Sequence, residues 1–211
     1  MEAMKFSGIE LRDLAICWLA LGFCFSLQYL MPVRDIPYPQ SLVRFAVYFG
    51  VALVGIGTGF LFHELAHKGV AQRFGYHAEF RMWKLGLLIA VASALLSFGR
   101  FLFFAPGAVY TSTYKNPDPR EEGLISAAGP LTNIALAGLF YLIATGSGDA
   151  GLWSLVGSFG FQVNLWLAAF NLVPFPPLDG VKILRWNKAA WMVLAALSWG
   201  LLALLMFGVI K

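Results

Sequence analysis

Two histidines four positions apart, with a glutamate directly after the first, are the residues in this sequence best suited to metal chemistry. They form the segment His63-Glu64-Leu65-Ala66-His67. Residues four apart lie on one face of an α-helix, so both imidazoles can reach a single metal ion. Glu64 points beside that ion, where its carboxylate can take a proton from a water molecule. The spacing therefore predicts a metal site with a general base.

The surroundings of this segment argue against a chance pairing of two histidines at a helix end. The chain has three histidines in all, and two of them fall at this spacing. The segment also lies in a long apolar run, where a charged side chain at the centre of a membrane helix costs roughly 2.5–3.5 kcal/mol. A functional role for Glu64 explains why that cost is tolerated.

A catalytic zinc site needs a third protein ligand besides two imidazoles. We expect this ligand to be Asp179, which follows an apolar span and a proline-rich link at the same predicted membrane depth as His67. The alternative role for Asp179 is to cap a helix that begins near Val181. The other acidic candidates lie in an alternating segment and in polar links: Glu79, Asp118, Glu121, Glu122 and Asp149.

The composition predicts an integral membrane protein. Of the 211 residues, 59% are hydrophobic and 12% are charged, whereas soluble chains have about 45–50% apolar and about 25% charged residues. This excludes a disordered chain and a secreted disulfide scaffold, and it argues against nucleic-acid binding. Cys17 and Cys24 would lie roughly 10 Å apart on one helix, too far for a disulfide, so we expect two buried thiols.

The apolar runs predict the elements that position the site. Five runs are long enough to span a bilayer: residues 11–31, 42–74, 124–145, 152–173 and 189–210. Residues 85–98 form a shorter run that either spans at a tilt or re-enters the same side. The alternating segment 76–82 predicts a strand, and residues 101–112 predict a strand–turn–strand around Pro106-Gly107. The fold class is an all-α polytopic bundle of about six transmembrane helices, with short β-strand or re-entrant elements between the second and third core spans.

Lysine and arginine in the short loops predict the orientation. They follow the second span, at residues 68–84, and the fourth span, at residues 182–188, and they do not occur in the link 146–151. Excess Lys and Arg marks cytoplasmic loops. We therefore expect a cytoplasmic N-terminus and a site near the cytoplasmic face of the cell membrane.

Three motifs in this order resemble the site-2 protease family of intramembrane zinc metalloproteases. They are HELAH at 63–67, Gly129-Pro130-Leu131-Thr132-Asn133, and the element from Asn171 to Asp179-Gly180. The resemblance covers about residues 42–180 and is nearest to the compact prokaryotic, especially archaeal, type without a PDZ domain. It implies a single transmembrane metalloprotease domain, 1–211, with a catalytic core at about 42–180. It also implies one zinc ion held by His63, His67 and Asp179, with Glu64 as general base.

The substrate implied by the resemblance is a membrane protein with a transmembrane helix, cleaved within the lipid bilayer. Such a helix must unwind, and segment 76–82 or 101–112 could hold it by strand addition; the alternative is that these segments lie on the bilayer surface. We expect Asn171 to donate hydrogen bonds to the substrate or to the developing oxyanion, and Gly129, Pro130 and Asn133 to be structural. The alternative functions are a metal transporter or sensor with the same ligands, and a protease acting at the bilayer surface.

Overall fold

The structure of the protein is a computed structural model that describes residues 4–30, 38–100, 106–112, 118–148 and 151–210. Within these ranges the chain is mainly helical, with one small sheet. The elements in chain order are α1 (Gly8–Ser26), α2 (Tyr38–Arg73), β1 (His77–Met82), α3 (Lys84–Ser97), β2 (Gly107–Ser112), α4 (Pro119–Gly146), α5 (Leu152–Asn171), α6 (Asp179–Trp186) and α7 (Lys188–Met206).

Four of the described helices, α2, α4, α5 and α7, are long and apolar enough to cross a membrane. This confirms the predicted helical, polytopic architecture. Helix α1 has 19 residues but carries Glu10, Arg12 and Asp13 near its start, and α3 has 14 residues. These two helices correspond to the other two spans of the predicted six, and their crossing of the bilayer stays a prediction.

Helix α2 lies at the centre of the bundle and packs against α1, α4 and α5. Its glycines permit these close approaches. A Cβ atom at Gly57 would lie 1.8 Å from Trp18 Nε1, and one at Gly59 would lie 2.6 Å from Asn164 Oδ1. Small residues at helix interfaces are typical of membrane bundles, where packing drives association. The centre of the bundle is therefore tightly closed around the helix that carries HELAH.

Strands β1 and β2 form an antiparallel pair, with His77 opposite Ser112 and Met82 opposite Gly107. The predicted strand at 76–82 is confirmed. The turn expected at Pro106-Gly107 is wrong, because these residues open β2: the Pro106 carbonyl accepts a hydrogen bond from Trp83 N at 2.9 Å. Proline, which has no N–H, is tolerated at the first residue of a strand. The first half of the predicted strand–turn–strand, residues 101–105, lies outside the described residues.

The outer edge of β1 is covered by two carboxylates of α1. Glu10 Oε1 accepts a hydrogen bond from Phe80 N at 3.0 Å, and Asp13 Oδ2 accepts one from Met82 N at 3.2 Å. Glu10 also pairs with Lys68 of α2, and both side chains are 1% exposed. These bonds satisfy strand donors that no neighbouring strand reaches and fix the sheet against α1 and α2.

Candidate metal centre

Three predicted metal ligands converge between α2 and α6. His63 Nε2 and His67 Nε2 lie 3.0 Å apart, and each lies 3.3 Å from Asp179 Oδ2. Around a tetrahedral zinc ion with bonds of about 2.0–2.1 Å, ligand atoms are separated by about 3.3 Å. The three atoms therefore have the spacing that one zinc ion requires. Among the described residues, no other group of His, Cys, Asp and Glu side chains comes as close together.

Hydrogen bonds at Nδ1 of both imidazoles leave Nε2 of each ring free to bind a metal. His63 Nδ1 lies 2.6 Å from Asn133 Oδ1, and His67 Nδ1 lies 2.7 Å from the carbonyl oxygen of Ile125. Carbonyl oxygens only accept hydrogen bonds, so each Nδ1 carries the proton and each Nε2 keeps a lone pair. Metal-ligating histidines have this arrangement, and the donor set fits zinc.

The fold directs Asp179 at the imidazoles. Helix α6 begins at Asp179, its N-cap residue is Leu178, and no side chain caps it. The alternative role of Asp179 as a helix cap is therefore wrong. A Cβ atom at Gly180 would lie 2.4 Å from the Leu172 carbonyl oxygen, so glycine lets α6 start against the end of α5. Burial raises the pKa of Asp179, but positive charge and hydrogen bonds from the two imidazoles, when these are protonated on Nε2, hold that pKa below its ordinary value.

The Gly129-Pro130 pair brings α4 directly across the imidazoles. A Cβ atom at Gly129 would lie 2.5 Å from both His63 Cε1 and His67 Nε2. Pro130 lies inside α4 and has no N–H to donate to the carbonyl one turn earlier. One turn after Gly129, Asn133 contacts His63 through its side-chain oxygen. The predicted interhelical role of Asn133 thus extends to direct contact with a metal-site histidine.

A cavity of about 190 Å³ lies beside the three ligand atoms. Glu64 lines it and is 9% exposed. Asn171, the predicted substrate contact, also lines it, with its Nδ2 donating to Leu167 O at 3.0 Å. Most of β2 lines this cavity too, from Gly107 to Val109 and at Thr111. Glu64, the three predicted metal ligands and an edge of β2 therefore line one cavity.

Sequence reasoning did not assign Asn164 or the Ile125 carbonyl to the site. Asn164 is 0% exposed, and its Oδ1 accepts a hydrogen bond from Asn133 Nδ2 at 3.0 Å. A polar residue inside an apolar span is a signal that could have drawn attention to Asn164. The Ile125 contact uses a backbone atom, so no residue type marks it. His77, by contrast, is exposed and does not line the cavity.

The sequence is similar to one protein family and to several proteins of that family. The profile of peptidase family M50 matches residues 51–149. A relative from Methanocaldococcus jannaschii is 40% identical over 98% of this chain and 100% of its own length. A relative from Bacillus subtilis is 32% identical over 72% of this chain and 73% of its own length. A relative from Mycobacterium tuberculosis is 31% identical over 82% of this chain and 38% of its own length. No solved structure gives a significant match.

All three relatives carry zinc metalloprotease names, so a metal transporter or sensor is not favoured. The matched range contains HELAH and Gly129-Pro130-Leu131-Thr132-Asn133. The M. jannaschii relative extends the similarity to 98% of this chain. With its apolar helices and zinc-compatible ligand set, the protein is an integral membrane zinc metalloprotease. The chain belongs to peptidase family M50, the site-2 protease family of intramembrane zinc metalloproteases.

Proposed function

We propose that this protease cleaves transmembrane segments of membrane proteins, using one zinc ion held by His63, His67 and Asp179. The whole chain, 1–211, forms one metalloprotease domain with its catalytic core at about 42–180. The observation that carries this proposal is the triangle of ligand atoms, with sides of 3.0 and 3.3 Å, two of which belong to a helix long and apolar enough to cross a membrane. A site on a membrane-spanning helix suits a substrate that is itself in the membrane.

Glu64 is the general base of the proposed reaction. When bound, zinc lowers the pKa of water from 15.7 to about 7 and polarises a carbonyl. The Glu64 carboxylate, buried in the cavity, removes the proton from the attacking water and delivers it to the leaving amine. Asn171 has one N–H beyond the one that donates to Leu167 O, and this N–H donates to the substrate backbone or to the developing oxyanion.

The substrate binds as a strand along the outer edge of β2. In an antiparallel pair, hydrogen-bonded and non-hydrogen-bonded positions alternate. Since Trp83 N bonds to Pro106 O, the backbone groups of Gly107, Val109 and Thr111 face away from β1. These three residues line the cavity, whereas the outer edge of β1 is occupied by Glu10 and Asp13. Val109 N–H donates to the Glu64 carboxylate, so a substrate strand would displace that bond. Of the two strands that the sequence left as candidates, β2 is the one whose outer edge faces the cavity.

The active site lies near the cytoplasmic face of the cell membrane, and the N-terminus is cytoplasmic. Lys68, near the end of α2, bonds to the backbone of Lys5, just before α1. The end of α2 also meets the start of α4, because Tyr76 donates a hydrogen bond to Glu121 at 2.8 Å. The metal site therefore lies at the end of the bundle that carries the Lys- and Arg-rich links, which are the cytoplasmic links in membrane proteins.

The Glu64→Gln variant tests this function. Purified protein is placed in lipid vesicles with a single-span test substrate, and both cleavage and bound zinc are measured. We expect cleavage to fall by about 10²–10⁴-fold, the usual contribution of a general base, while zinc stays bound. Glu122→Gln, at another acidic residue of the same cavity, is the matched control and should cleave normally. Wild-type cleavage by Glu64→Gln would overturn the proposal, and zinc flux across the vesicles would support a transporter instead.

A further inference from the structure

A chain of buried amides runs from His63 into the interior of the bundle. Asn133 Oδ1 faces His63 Nδ1 at 2.6 Å, and Asn133 Nδ2 donates to Asn164 Oδ1 at 3.0 Å and to Gly59 O at 3.1 Å. Both asparagines are 0% exposed. This chain of amides connects α2, α4 and α5, and neither asparagine lines the cavity.

The hydrogen bonds of Asn164, at the far end of this chain of amides, determine the orientation of both amides. Asn164 Nδ2 donates to Gly160 O at 2.9 Å and to Gly55 O at 3.3 Å. Backbone carbonyls cannot donate, so the amino group of Asn164 must face them, and only its oxygen remains for Asn133. The amino group of Asn133 must then face that oxygen and the Gly59 carbonyl, which leaves the Asn133 oxygen for His63.

We propose that Asn133 and Asn164 are positioning residues that hold His63 with its proton on Nδ1, before any metal binds. An acceptor opposite Nδ1 fixes the tautomer of the ring and directs the lone pair of Nε2 toward His67 and Asp179. This inference rests on the proposed role of His63 as a zinc ligand. It gives Asn133 a function beyond helix contact, and it assigns Asn164, which none of the sequence motifs includes, to the metal site.

The two histidines of the site differ in how their tautomers are held. The partner of His67 Nδ1 is a backbone carbonyl, that of Ile125, which no side-chain substitution removes. The partner of His63 Nδ1 is a side chain, whose orientation depends on Asn164 and Gly59. A reversed Asn133 amide would place its oxygen against two other acceptors, Asn164 Oδ1 and the Gly59 carbonyl, and its amino group against the Nδ1 proton of His63. Because these groups are buried, such a reversal is costly. His67 therefore serves as an internal control in any experiment on Asn133.

The test uses ¹⁵N-histidine-labelled, metal-free protein at a pH where the imidazoles are neutral. Nitrogen spectra distinguish protonated from unprotonated ring nitrogens, and the chain has three histidines to resolve. We expect only the Nδ1–H tautomer at His63 in the wild type and a mixture in Asn133→Ala, with His67 unchanged. Zinc affinity, measured by competition with a chelator, should fall by about 10–100-fold in Asn133→Ala, as for other outer partners of metal ligands.

Asn133→Asp is the conservative variant in its neutral, protonated form: one oxygen accepts from Nδ1, and the O–H takes the place of Nδ2 as the donor to Asn164 Oδ1. It should keep the Nδ1–H tautomer and bind zinc more tightly than Asn133→Ala. If Asn133→Ala does not fold, Asn164→Ala carries the same test, with a smaller expected effect because the Gly59 carbonyl still orients Asn133. A single Nδ1–H tautomer and wild-type zinc affinity in the folded alanine variant would overturn the proposal, as would equal zinc loss in Asn133→Ala and Asn133→Asp.

Failure of the proposed function is distinguishable from failure of this inference. The tautomer is measured without metal and without substrate, so it does not depend on proteolysis. Unchanged zinc affinity in His63→Ala would contradict the proposed ligand set, whatever the tautomer. A tautomer mixture already present in the wild type would contradict the amide chain alone.

Discussion

At the scale of single residues, the metal site depends on two neighbouring glycines as well as on its ligands. Gly129 has no side chain, and this absence lets α4 lie against both imidazoles. Glycine at a close helix contact is usual in membrane bundles, but here the contact is with the metal site itself. Gly180 acts similarly, because it lets Asp179 open α6 beside the end of α5.

Substitution of Gly129 by alanine is expected to weaken zinc binding while the bundle stays folded. The added Cβ would lie 2.5 Å from His63 Cε1 and His67 Nε2, so the rings must move apart. We expect a loss of zinc affinity of at least about tenfold, similar to that caused by outer-shell changes. Gly138→Ala, on the same helix with no atom within 4 Å of the new Cβ, is the matched control. Equal zinc affinities in the two variants would show that the contact does not constrain the site.

The sequence predicted the residues whose chemistry is visible in their type. HELAH places two imidazoles on one helical face, and Asp179 emerged because it lies at the same depth as His67. Asn133 was assigned to structure because a sequence does not say which helix face meets which. The direction of the Asn164 amide, set by two backbone carbonyls, could be obtained only from the packed bundle.

At the scale of elements, the two strands have different outer neighbours. The outer N–H groups of β1 bond to Glu10 and Asp13, so this edge is closed. The outer edge of β2 lines the cavity, where no strand of the described residues pairs with it, and a strand edge of this kind is a template for an extended peptide. The sequence predicted strand character for both segments, but it could not tell which edge α1 would cover, because that depends on tertiary packing.

The Thr111→Pro variant tests strand addition at β2. Proline removes one outward N–H, and a proline is tolerated where the N–H faces away from the sheet. Loss of one hydrogen bond to the substrate, worth about 0.5–1.5 kcal/mol, should lower kcat/KM for a transmembrane substrate by roughly three- to tenfold, with zinc content unchanged. Tyr110→Ala, which removes an exposed side chain (63% exposed) and keeps all backbone donors, is the control. Unchanged kcat/KM in Thr111→Pro would remove β2 from the substrate path.

At the scale of the whole molecule, the bundle has two chemically different ends. The end with the metal site contains the start of α1, the end of α2 and the start of α4. The other end contains the link between α4 and α5. Hydropathy and loop charge predict that the end with the metal site faces the cytoplasm, because excess Lys and Arg marks cytoplasmic loops; this orientation stays a prediction. The exact number of crossings depends on α1 and α3, for which charge and length conflict with hydropathy.

Single engineered cysteines measure the orientation of the two ends. The native Cys17 and Cys24 are unpaired and buried (0% and 1% exposed), so background labelling should be low. In intact cells, a membrane-impermeant maleimide should label Gly146→Cys, at the end of α4. It should label Lys188→Cys, at the start of α7, only after the membrane is opened. The reverse pattern would place the active site at the outer face.

Zinc binding by the Asp179→Asn variant tests the central claim most directly. Titration against a competing chelator gives the affinity and the number of zinc ions per chain, with Glu122→Gln as the control. The proposed ligand set predicts one zinc ion per chain for the wild type and the control, and an affinity more than about 100-fold weaker for Asp179→Asn, since a direct ligand contributes more than an outer-shell partner. Wild-type zinc affinity in Asp179→Asn would contradict a site in which that carboxylate completes the two imidazoles.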